Sequence, residues 1–374
     1  MIKRFLEHQL NKRMADKKAI IIVGPRQAGK TTLIRHIADQ SEKKILFWNG
    51  DEADIRTMLA SATSTKLKNL IGSSKLLIID EAQRIENIGL CIKLIVDNST
   101  GVKVIATGSS AFELANKVNE PLTGRKWEYQ LYPLSYAEMA KHHGSIDERR
   151  LLEQRLIYGY YPEVVTHPGS EIDLLKQIAG SYLYKDILTW ARIHKPDKLE
   201  RLVQALAFQL GNEVSYHELG QMTGLDNETV EKYIALLEKA FVVFHLSSLS
   251  RNLRNELKKS RKIYFYDNGL RNAIINQFNP VGLRSDIGAL WENFLVSERM
   301  KHTHYNDMYC NRFFWRTLQQ QEIDYVEERE GNLFAFEFKW STKSKPKFPK
   351  TFTSSYPKAK MKLITPDNFE EFIQ

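Results

Sequence analysis

Residues 24–31 of the chain read Gly-Pro-Arg-Gln-Ala-Gly-Lys-Thr and fill the phosphate-loop template Gly-x-x-x-x-Gly-Lys-Ser/Thr. An apolar, strand-forming run at 19–23 precedes the loop, and a helical pattern with Leu33, Ile34 and Ile37 follows it. When a glycine loop connects a strand to a helix, its backbone N–H groups can surround a phosphate at the N-terminus of that helix. The stretch therefore predicts the first strand, loop and helix of a nucleotide-binding α/β fold.

The residue types in this loop also predict how a nucleoside triphosphate is held. Lys30 would contact the β- and γ-phosphates, and the hydroxyl of Thr31 would hold Mg²⁺. The predicted cofactors are therefore ATP and Mg²⁺. The residues predicted to bind the nucleotide are Gly24, Pro25, Arg26, Gln27, Ala28, Gly29, Lys30, Thr31 and Thr32.

A second apolar run, residues 76–79, ends in two carboxylates, Asp80 and Glu81. A continuous apolar run of this length is typical of a central strand in a parallel sheet, where ligands bind at the carboxyl ends of the strands. We predict that Asp80 is the Walker B partner of Mg²⁺ and that Glu81 takes a proton from the attacking water. Two acids in a solvated turn are the alternative interpretation. The combination of Asp80 with Glu81 favours hydrolysis of the nucleotide over nucleotide binding alone.

Two later segments could complete this site. The strand-like run 102–106 is followed by Thr107 and Ser109, either of which could act as a polar sensor of the γ-phosphate. Arg125, after Gly124, could serve as an arginine finger for the nucleotide of a neighbouring subunit, which would require a homo-oligomer. The alternative for Thr107 and Ser109 is an ordinary strand end, and the alternative for Arg125 is a surface arginine at a turn. The predicted catalytic residues are Glu81, Lys30, Arg125 and Ser109.

The composition sets broad limits on the class of protein. With 374 residues, of which 43% are apolar and 26% charged, the chain suggests two or three globular domains. No segment approaches the roughly 20 unbroken apolar residues of a membrane span, and residues 1–5 lack the core of a signal peptide. Cys91 and Cys310 are too far apart for a zinc or disulfide framework. We therefore expect a cytoplasmic protein without a membrane partner.

The formal net charge of +9 is compatible with a nucleic-acid partner bound through the basic C-terminal half. Lysines crowd this region among the aromatic residues Trp340, Phe348, Phe352 and Tyr356. A solvated lysine-rich face is the alternative. The lysines are Lys339, Lys343, Lys345, Lys347, Lys350, Lys358, Lys360 and Lys362.

Alternating strand and helix patterns predict that the first part is an α/β domain, a parallel sheet with flanking helices. A winged helix-turn-helix is expected to follow, with a third helix whose outer face carries Glu228, Glu231 and Glu238. These carboxylates would repel phosphates, so the basic stretch 251–262 is the better phosphate candidate. We predict a P-loop ATPase domain at 1–145, a helical linker at 146–196, the winged helix at 197–262 and a restriction-endonuclease-like α/β domain at 263–374.

The last domain contains an acid, a hairpin and then Glu-x-Lys. Side chains two apart on a strand share a face, so Glu337 and Lys339 could converge with Asp324 on one metal. This is the arrangement of a Mg²⁺-dependent nuclease core, to which Glu292 or Glu298 would add a carboxylate. A scaffold that no longer cuts is the alternative.

Together these features resemble the prokaryotic family of AAA-type ATPases with a DUF4143 C-terminal region. The resemblance implies an AAA-type ATPase domain, a winged helix and a restriction-endonuclease-like domain. One departure is Tyr160, which replaces the second glycine of the family pattern Tyr-Gly-Gly-Tyr/Phe-Pro and so predicts a different turn. The matching stretches are GPRQAGKTT (24–32), IIDEAQ (78–83), TGSS (107–110), GR (124–125), PLSYAE (133–138), YGYYPE (158–163), LWENF (290–294) and ID (323–324).

Three functions are compatible with these patterns. The first is a Mg²⁺-dependent ATPase whose nucleotide state drives the C-terminal domains, with nucleic acid as the client. The second is a low-turnover, nucleotide-gated switch or scaffold that contacts proteins. The third is a nuclease that ATP powers or licenses.

Overall fold

The computed structural model describes residues 1–99, 101–109, 118, 121–181, 196–249, 261–343, 345 and 347–374. They form two compact units, one of Met1–Pro133 with Lys239–Phe241 and one of Leu134–Glu238 with Val242–Gln374. Within these ranges, no helix is both long enough and apolar enough to span a bilayer. Ser110, residues 182–195 of the predicted helical linker and most of the basic stretch 251–262 lie outside the described residues.

The first unit contains a five-stranded sheet in which every strand pair is parallel. Its strands are β1 (Ala19–Val23), β2 (Ile45–Asn49), β3 (Leu76–Asp80), β4 (Lys103–Gly108) and β5 (Lys126–Gln130). The helices are α1 (Leu6–Lys12), α2 (Lys30–Asp39), α3 (Ala53–Ala60), α4 (Ser64–Ile71) and α5 (Ile88–Asn98). The strand order is β2-β3-β4-β1-β5, and β1, β3 and β4 are buried throughout, as strands covered on both faces are. The predicted parallel sheet is thus confirmed.

Two glycines allow close backbone approach at the carboxyl ends of these strands. A Cβ atom on Gly24 would lie 2.1 Å from the carbonyl oxygen of Leu131. A Cβ atom on Gly50 would lie 2.3 Å from the carbonyl oxygen of Glu81. Only glycine fits at such distances, so these positions let the loops after β1 and β2 pack against their neighbours.

The second unit is a mixed α/β structure with its own seven-stranded sheet. The strands are β6 (Glu213–Val214), β7 (Val243–Ser248), β8 (Arg261–Phe265), β9 (Asn311–Arg316), β10 (Glu322–Arg329), β11 (Asn332–Phe338) and β12 (Lys360–Ile364). The described helices that end before residue 182 are α6 (Tyr136–His143), α7 (Ser145–Arg150), α8 (Leu152–Tyr158), α9 (Pro162–Thr166) and α10 (Glu171–Ser181). Those further along are α11 (Pro196–Phe208), α12 (Tyr216–Thr223), α13 (Asn227–Lys239), α14 (Asn268–Ile274), α15 (Ile287–Tyr305), α16 (Lys350–Ser355) and α17 (Glu370–Ile373).

The sheet of the second unit joins two segments that the sequence assigned to separate domains. Its order is β12-β11-β10-β9-β7-β8-β6, and β7 pairs in parallel with β9. The helices α11, α12 and α13 and the strands β6, β7 and β8 belong to the same stretch of chain. These three strands therefore continue the sheet that contains the C-terminal hairpin β10–β11. The predicted boundary at 262/263 falls inside β8. The domain boundaries themselves stay predictions.

The structure explains why Tyr160 can replace a glycine of the family pattern. Gly159 has a φ of 69°, and its missing Cβ leaves room for the carboxylate of Asp267, 2.1 Å from where that atom would lie. Tyr160 does not have a positive φ. Its N–H donates to Asp267 Oδ2 (2.6 Å), and its hydroxyl donates to Glu148 Oε1 (2.7 Å). Of these two positions, only 159 has a positive φ, so Tyr160 fits the turn without backbone strain.

Candidate active site

The phosphate loop connects β1 to α2 and bonds its own lysine. Gly29 has a φ of 93° and Gln27 a φ of 57°, so the loop turns twice through the left-handed region. Lys30 is the first residue of α2 and is 5% exposed. Its Nζ donates to the carbonyl oxygens of Gly24 (2.8 Å) and Pro25 (2.7 Å). These bonds hold the ammonium group against the loop backbone at the N-terminus of a helix, where an anion is favoured.

Asp80 is the last residue of β3, and three neighbours orient its buried carboxylate. Thr31 Oγ1, in the first turn of α2, donates to Asp80 Oδ2 (2.8 Å). Thr107 Oγ1, on β4, donates to Asp80 Oδ1, as does the N–H of Glu81 (3.2 Å). The structure thus brings together Thr31 and Asp80, the two residues predicted to hold Mg²⁺. A hydroxyl and a carboxylate are oxygen ligands of the kind that this hard cation prefers.

Glu81 follows Asp80 in a strained backbone conformation, with a φ of 48°. Its carboxylate Oε2 accepts a hydrogen bond from Gln83 Nε2 (2.6 Å), and the same Nε2 donates to Ser109 Oγ (2.9 Å). Ser109 therefore reaches the predicted base through Gln83, whereas Thr107 orients Asp80. The sequence offered both residues as sensors but assigned no role to Gln83. The signal in the sequence was its place in the family stretch IIDEAQ (78–83).

Arg4 is a second residue that the sequence analysis missed. It is 5% exposed, and its guanidinium donates to the carbonyl oxygens of Ala28 (2.7 Å) and Tyr132 (2.6 Å). Ala28 lies within the phosphate loop. These two acceptors are backbone carbonyls, which no sequence motif marks.

Arg125 does not join the other predicted catalytic residues within one chain. Its carbonyl accepts from the N–H of Ala19, so it lies at the amino ends of β1 and β5, and the phosphate loop follows the opposite end of β1. Its Nε donates to Asp97 Oδ1 (2.7 Å), and its side chain is 39% exposed. A role for Arg125 at the site of a neighbouring copy stays a prediction.

In the second unit, the predicted nuclease-like residues lie on the paired strands β10 and β11 and just after them. Lys339 Nζ is 3.3 Å from Glu337 Oε2 and 4.0 Å from Asp324 Oδ2, which also accepts from the N–H of Phe338 (2.8 Å). Burial, reinforced by the charge of Asp324, raises the pKa of Glu337 to about 8. Burial opposes a raised pKa at Lys339, but the two carboxylates outweigh it. The structure thus places the three residues together.

A second lysine, Lys262, pairs with two other carboxylates of this unit. The buried Lys262 donates from Nζ to Glu292 Oε1 (3.0 Å) and Glu322 Oε1 (2.5 Å). Burial raises the pKa of Glu292 to about 7 despite the opposing charge of Lys262. Glu298, the other carboxylate considered, instead accepts from the N–H of Tyr136 (2.8 Å). No three His, Cys, Asp or Glu side chains in the described ranges are arranged to hold a metal, so the predicted site at Asp324 and Glu337 has no third ligand there.

The fold and the first site define a class of protein. The first unit has an all-parallel sheet, and a glycine loop that ends in a lysine follows β1. The acidic pair Asp80 and Glu81 lies at the end of β3, which is two strands away from β1 in the sheet. This is the P-loop NTPase fold. The chain matches an AAA domain over residues 16–140, a domain of unknown function (DUF8612) over 149–281 and another (DUF4143) over 287–371. The chain thus contains an AAA domain and a DUF4143 region, as the resemblance seen in the sequence implied.

Relatives and solved structures agree with this assignment. The chain is 27% identical over 325 residues to the uncharacterised protein Rv2008c of Mycobacterium tuberculosis, covering 86% of this chain and 70% of that one. It is 24% identical over 340 residues to an uncharacterised protein of Haemophilus influenzae, covering 84% and 80%. The Walker-type ATPase paby2304 of Pyrococcus abyssi aligns with a TM-score of 0.51 at 13% identity, over 74% of this chain and 96% of that one. This last similarity shows the fold.

Proposed function

We propose that this protein binds ATP with Mg²⁺ and hydrolyses it. One observation carries the proposal: the Thr31 hydroxyl donates to Asp80 at 2.8 Å, next to a lysine-bearing loop and with Glu81 as the following residue. This combination supplies a phosphate cradle, a pair of magnesium ligands and a base in one place. The AAA domain match over residues 16–140 supports the same activity.

Each residue of the site has a distinct task in this proposal. The loop N–H groups and Lys30 bind the phosphates, and Thr31 with Asp80 would hold Mg²⁺. When bound, Mg²⁺ neutralises charge on the phosphate oxygens. Thr107 keeps the Asp80 carboxylate in one orientation through its hydrogen bond. The cradle therefore positions the nucleotide before any chemistry takes place.

Glu81 is the proposed general base. Its carboxylate accepts a proton from the water that attacks the γ-phosphate, and Gln83 limits the directions in which that carboxylate can point. The Nε2 bond from Gln83 uses one lone pair of Oε2, and the other acceptor positions remain for a water molecule. The αL conformation of Glu81 is the kind of strain that is stored at functional sites.

A phosphate-release assay tests this assignment. Glu81→Gln should keep ATP binding and lower the turnover rate by about 100-fold or more, because a positioned base contributes ~10²–10⁴-fold. Glu86→Gln, an exposed carboxylate five residues further on, is the matched control and should turn over at the parent rate. If Glu81→Gln hydrolyses ATP like the parent, Glu81 is not the base.

We further propose that nucleic acid is the client of this ATPase. Support comes from the net charge of +9 and from lysines in the C-terminal region whose side chains are exposed. The outer face of α13, with exposed Glu228 and Glu231, is not part of this surface. The exposed lysines are Lys339, Lys343, Lys345, Lys347, Lys350, Lys358, Lys360 and Lys362.

The rate of ATP hydrolysis with and without DNA tests this client. We expect stimulation by DNA that weakens as salt rises, because binding to phosphates releases counterions. A flat rate near zero would instead favour the nucleotide-gated switch or scaffold.

The proposal also includes the organisation and location of the protein. We propose a cytoplasmic homo-oligomer whose chain has four domains, at 1–145, 146–196, 197–262 and 263–374.

The ATP-licensed nuclease has less support, because no three His, Cys, Asp or Glu side chains in the described ranges are arranged to hold a metal. Glu292, which was expected to add a carboxylate to Asp324 and Glu337, pairs with Lys262 instead. Plasmid incubated with protein, ATP and Mg²⁺ or Mn²⁺ should therefore stay intact. Cleavage that Lys339→Ala abolishes would establish the nuclease; cleavage that survives this change would come from a contaminant.

A further inference from the structure

Arg4 carries an inference about how the phosphate loop keeps its shape. The residue lies just before α1, whose Leu6 and Leu10 are fully buried and anchor this segment in the first unit. Arg4 itself is 5% exposed. Its Nη1 donates to the carbonyl oxygen of Ala28 (2.7 Å), and its Nη2 donates to that of Tyr132 (2.6 Å). One guanidinium therefore bonds both the phosphate loop and the chain that follows β5.

Burying a charged group is costly unless hydrogen bonds compensate for the lost water. A core position filled only for packing would favour an apolar side chain, so a buried arginine needs a reason. The planar guanidinium holds its two Nη donors at a fixed spacing, whereas an ammonium donates from a single nitrogen. Arg4 uses one Nη on each of two carbonyls that lie more than a hundred residues apart in the chain.

The bond to Ala28 acts directly on a group that would face the nucleotide. The carbonyl of Ala28 and the N–H of Gly29 belong to one planar trans peptide unit and point in opposite directions. Holding the carbonyl toward Arg4 therefore turns the N–H of Gly29 away from Arg4. Gly29 has a φ of 93°, a conformation in which this peptide could otherwise rotate at little cost.

The bond to Tyr132 supplies the fixed support. Leu131 N–H donates to the carbonyl of Val23 (2.8 Å), so residues 131 and 132 are tied to the end of β1. The carbonyl of Leu131 also lies against Gly24, where a Cβ would be 2.1 Å away. The start of the loop thus packs on Leu131, and Arg4 ties the later part of the loop to Tyr132.

We propose that Arg4 is a positioning residue for ATP: it locks the Ala28–Gly29 peptide so that the Gly29 N–H faces the phosphates. The inference rests on the proposed ATP site and adds a residue outside every motif of that site. Arg4 does not contact the reacting atoms in this account. It preorganises the cradle, so its loss should weaken nucleotide binding more than it slows the chemical step.

Calorimetry of ATP and ADP binding with Mg²⁺, together with steady-state phosphate release, tests this role in the full-length chain. Arg4→Gln should raise the Kd for ATP and the KM by about 10-fold or more, since hydrogen bonds from charged groups are the stronger class. The turnover rate at saturating ATP should change much less. Arg4→Lys should fall between parent and Arg4→Gln, because an ammonium keeps the charge but loses the fork.

Lys103→Met is the matched control for a loss of stability alone. Lys103 is 4% exposed and donates from Nζ to the carbonyls of Asp16 (2.9 Å) and Lys18 (2.6 Å), at the amino end of the same sheet. It should lower the Tm without changing the Kd for ATP. If Arg4→Gln does not fold, the comparison of Arg4→Lys with Lys103→Met decides the question.

The possible results separate the inference from the proposed function. If the parent binds ATP and a folded Arg4 variant binds it equally well, the positioning role is overturned while the ATP site stands. If Lys103→Met weakens ATP binding as much as Arg4→Gln does at a similar Tm, the effect is stability alone and the role is again overturned. If the parent binds no nucleotide, both proposals fail together.

Discussion

A single amide nitrogen links two strands at the candidate active site. Gln83 is 2% exposed, and its Nε2 donates to both Glu81 Oε2 and Ser109 Oγ. Ser109 directly follows β4, whereas Glu81 follows β3. A change at the end of β4 can therefore reach the proposed base without moving the backbone of β3. At this scale, Gln83 determines where the Glu81 carboxylate points.

Replacing Gln83 should affect turnover more than binding. Gln83→Ala removes the donor that holds Glu81, so we expect the turnover rate to fall about 10-fold or more while the Kd for ATP stays within about twofold. Ser109→Ala should have a smaller effect, because Gln83 keeps its bond to Glu81. Phosphate release and calorimetry on the same preparations measure both quantities. An unchanged turnover rate in Gln83→Ala would contradict this role.

The residues at this site differ in how far the sequence can predict them. Lys30, Thr31, Asp80 and Glu81 could be predicted because short motifs place them at fixed points relative to one strand or helix. The link from Arg4 to the phosphate loop could not be predicted, because it ends on a backbone carbonyl, which every residue has. No spacing rule relates an N-terminal arginine to a loop more than twenty residues away.

Among the elements of the first unit, β2 approaches β3 through a glycine. The N–H of Gly50 donates to the carbonyl of Asp80 (2.8 Å), and the space above its Cα is filled by the carbonyl of Glu81. Any side chain at position 50 would push against the backbone that carries both acidic residues. The end of β2 thus helps to place the acidic pair, although it contributes no chemistry.

Gly50→Ala should therefore lower both the free energy of unfolding and the turnover rate. A Cβ 2.3 Å from a carbonyl oxygen forces the backbone to shift, and overpacking of this kind costs about 1–3 kcal/mol of the free energy of unfolding. We also expect turnover to fall, because Asp80 and Glu81 must move. Urea unfolding and phosphate release measure the two effects. Gly180→Ala, within α10 and with open space at its Cβ, should have no such cost; a Gly50→Ala protein of parent stability would contradict the packing argument.

In the second unit, α15 carries a histidine that should respond to pH. Burial, helped by the positive charge of Arg299, lowers the pKa of His302 from 6.5 to about 4, with Glu327 opposing and Arg329 adding to the shift. The unfolded chain therefore binds a proton at a higher pH than the folded chain. The contribution of His302 to the free energy of unfolding is therefore present above about pH 6.5 and is lost as the pH falls toward 4.

His302→Gln isolates this contribution, because glutamine does not titrate. The parent should lose stability relative to the variant as the pH falls from 7 to 4.5, while carboxylate effects common to both proteins cancel. Thermal unfolding of both at several pH values measures the difference in Tm. A difference that stays constant across this range would show that the folded His302 keeps an ordinary pKa.

Strand pairing in the second unit shows where sequence patterns stop being informative. The hairpin β10–β11 could be predicted, because two alternating runs are joined by a short turn at Glu330 and Gly331, both with positive φ. The parallel pairing of β7 with β9 could not. More than sixty residues separate Ser247 from its partner Phe313, and local periodicity does not specify which distant strands pair.

For the molecule as a whole, a finger role of Arg125 would couple the proposed activity to assembly. Arg125 directly precedes the edge strand β5 and lies away from the phosphate loop of its own chain. An arginine there can contribute only to the nucleotide of another copy. We therefore expect a discrete larger particle when a non-hydrolysable ATP analogue is added, and a monomer or smaller particle without it.

Arg125→Ala should keep ATP binding and lose about 10³-fold or more in turnover if it is a finger in trans, since such fingers contribute ~10³–10⁵-fold. Mass measurement in solution and phosphate release provide the two readouts. Arg149→Ala, an exposed arginine of the second unit, is the charge-matched control. The same mass with and without the analogue, together with parent turnover in Arg125→Ala, would contradict the assembly.

Calorimetric titration of the 374-residue chain with ATP in the presence of Mg²⁺ tests the ATP site itself. We predict saturable binding of one ATP per chain for the parent and for Glu81→Gln, and none for Lys30→Ala, whose ammonium would contact the β- and γ-phosphates. Binding by Lys30→Ala as tight as that of the parent would show that the phosphate loop does not hold ATP, and no uptake by the parent would show that the protein has no ATP site.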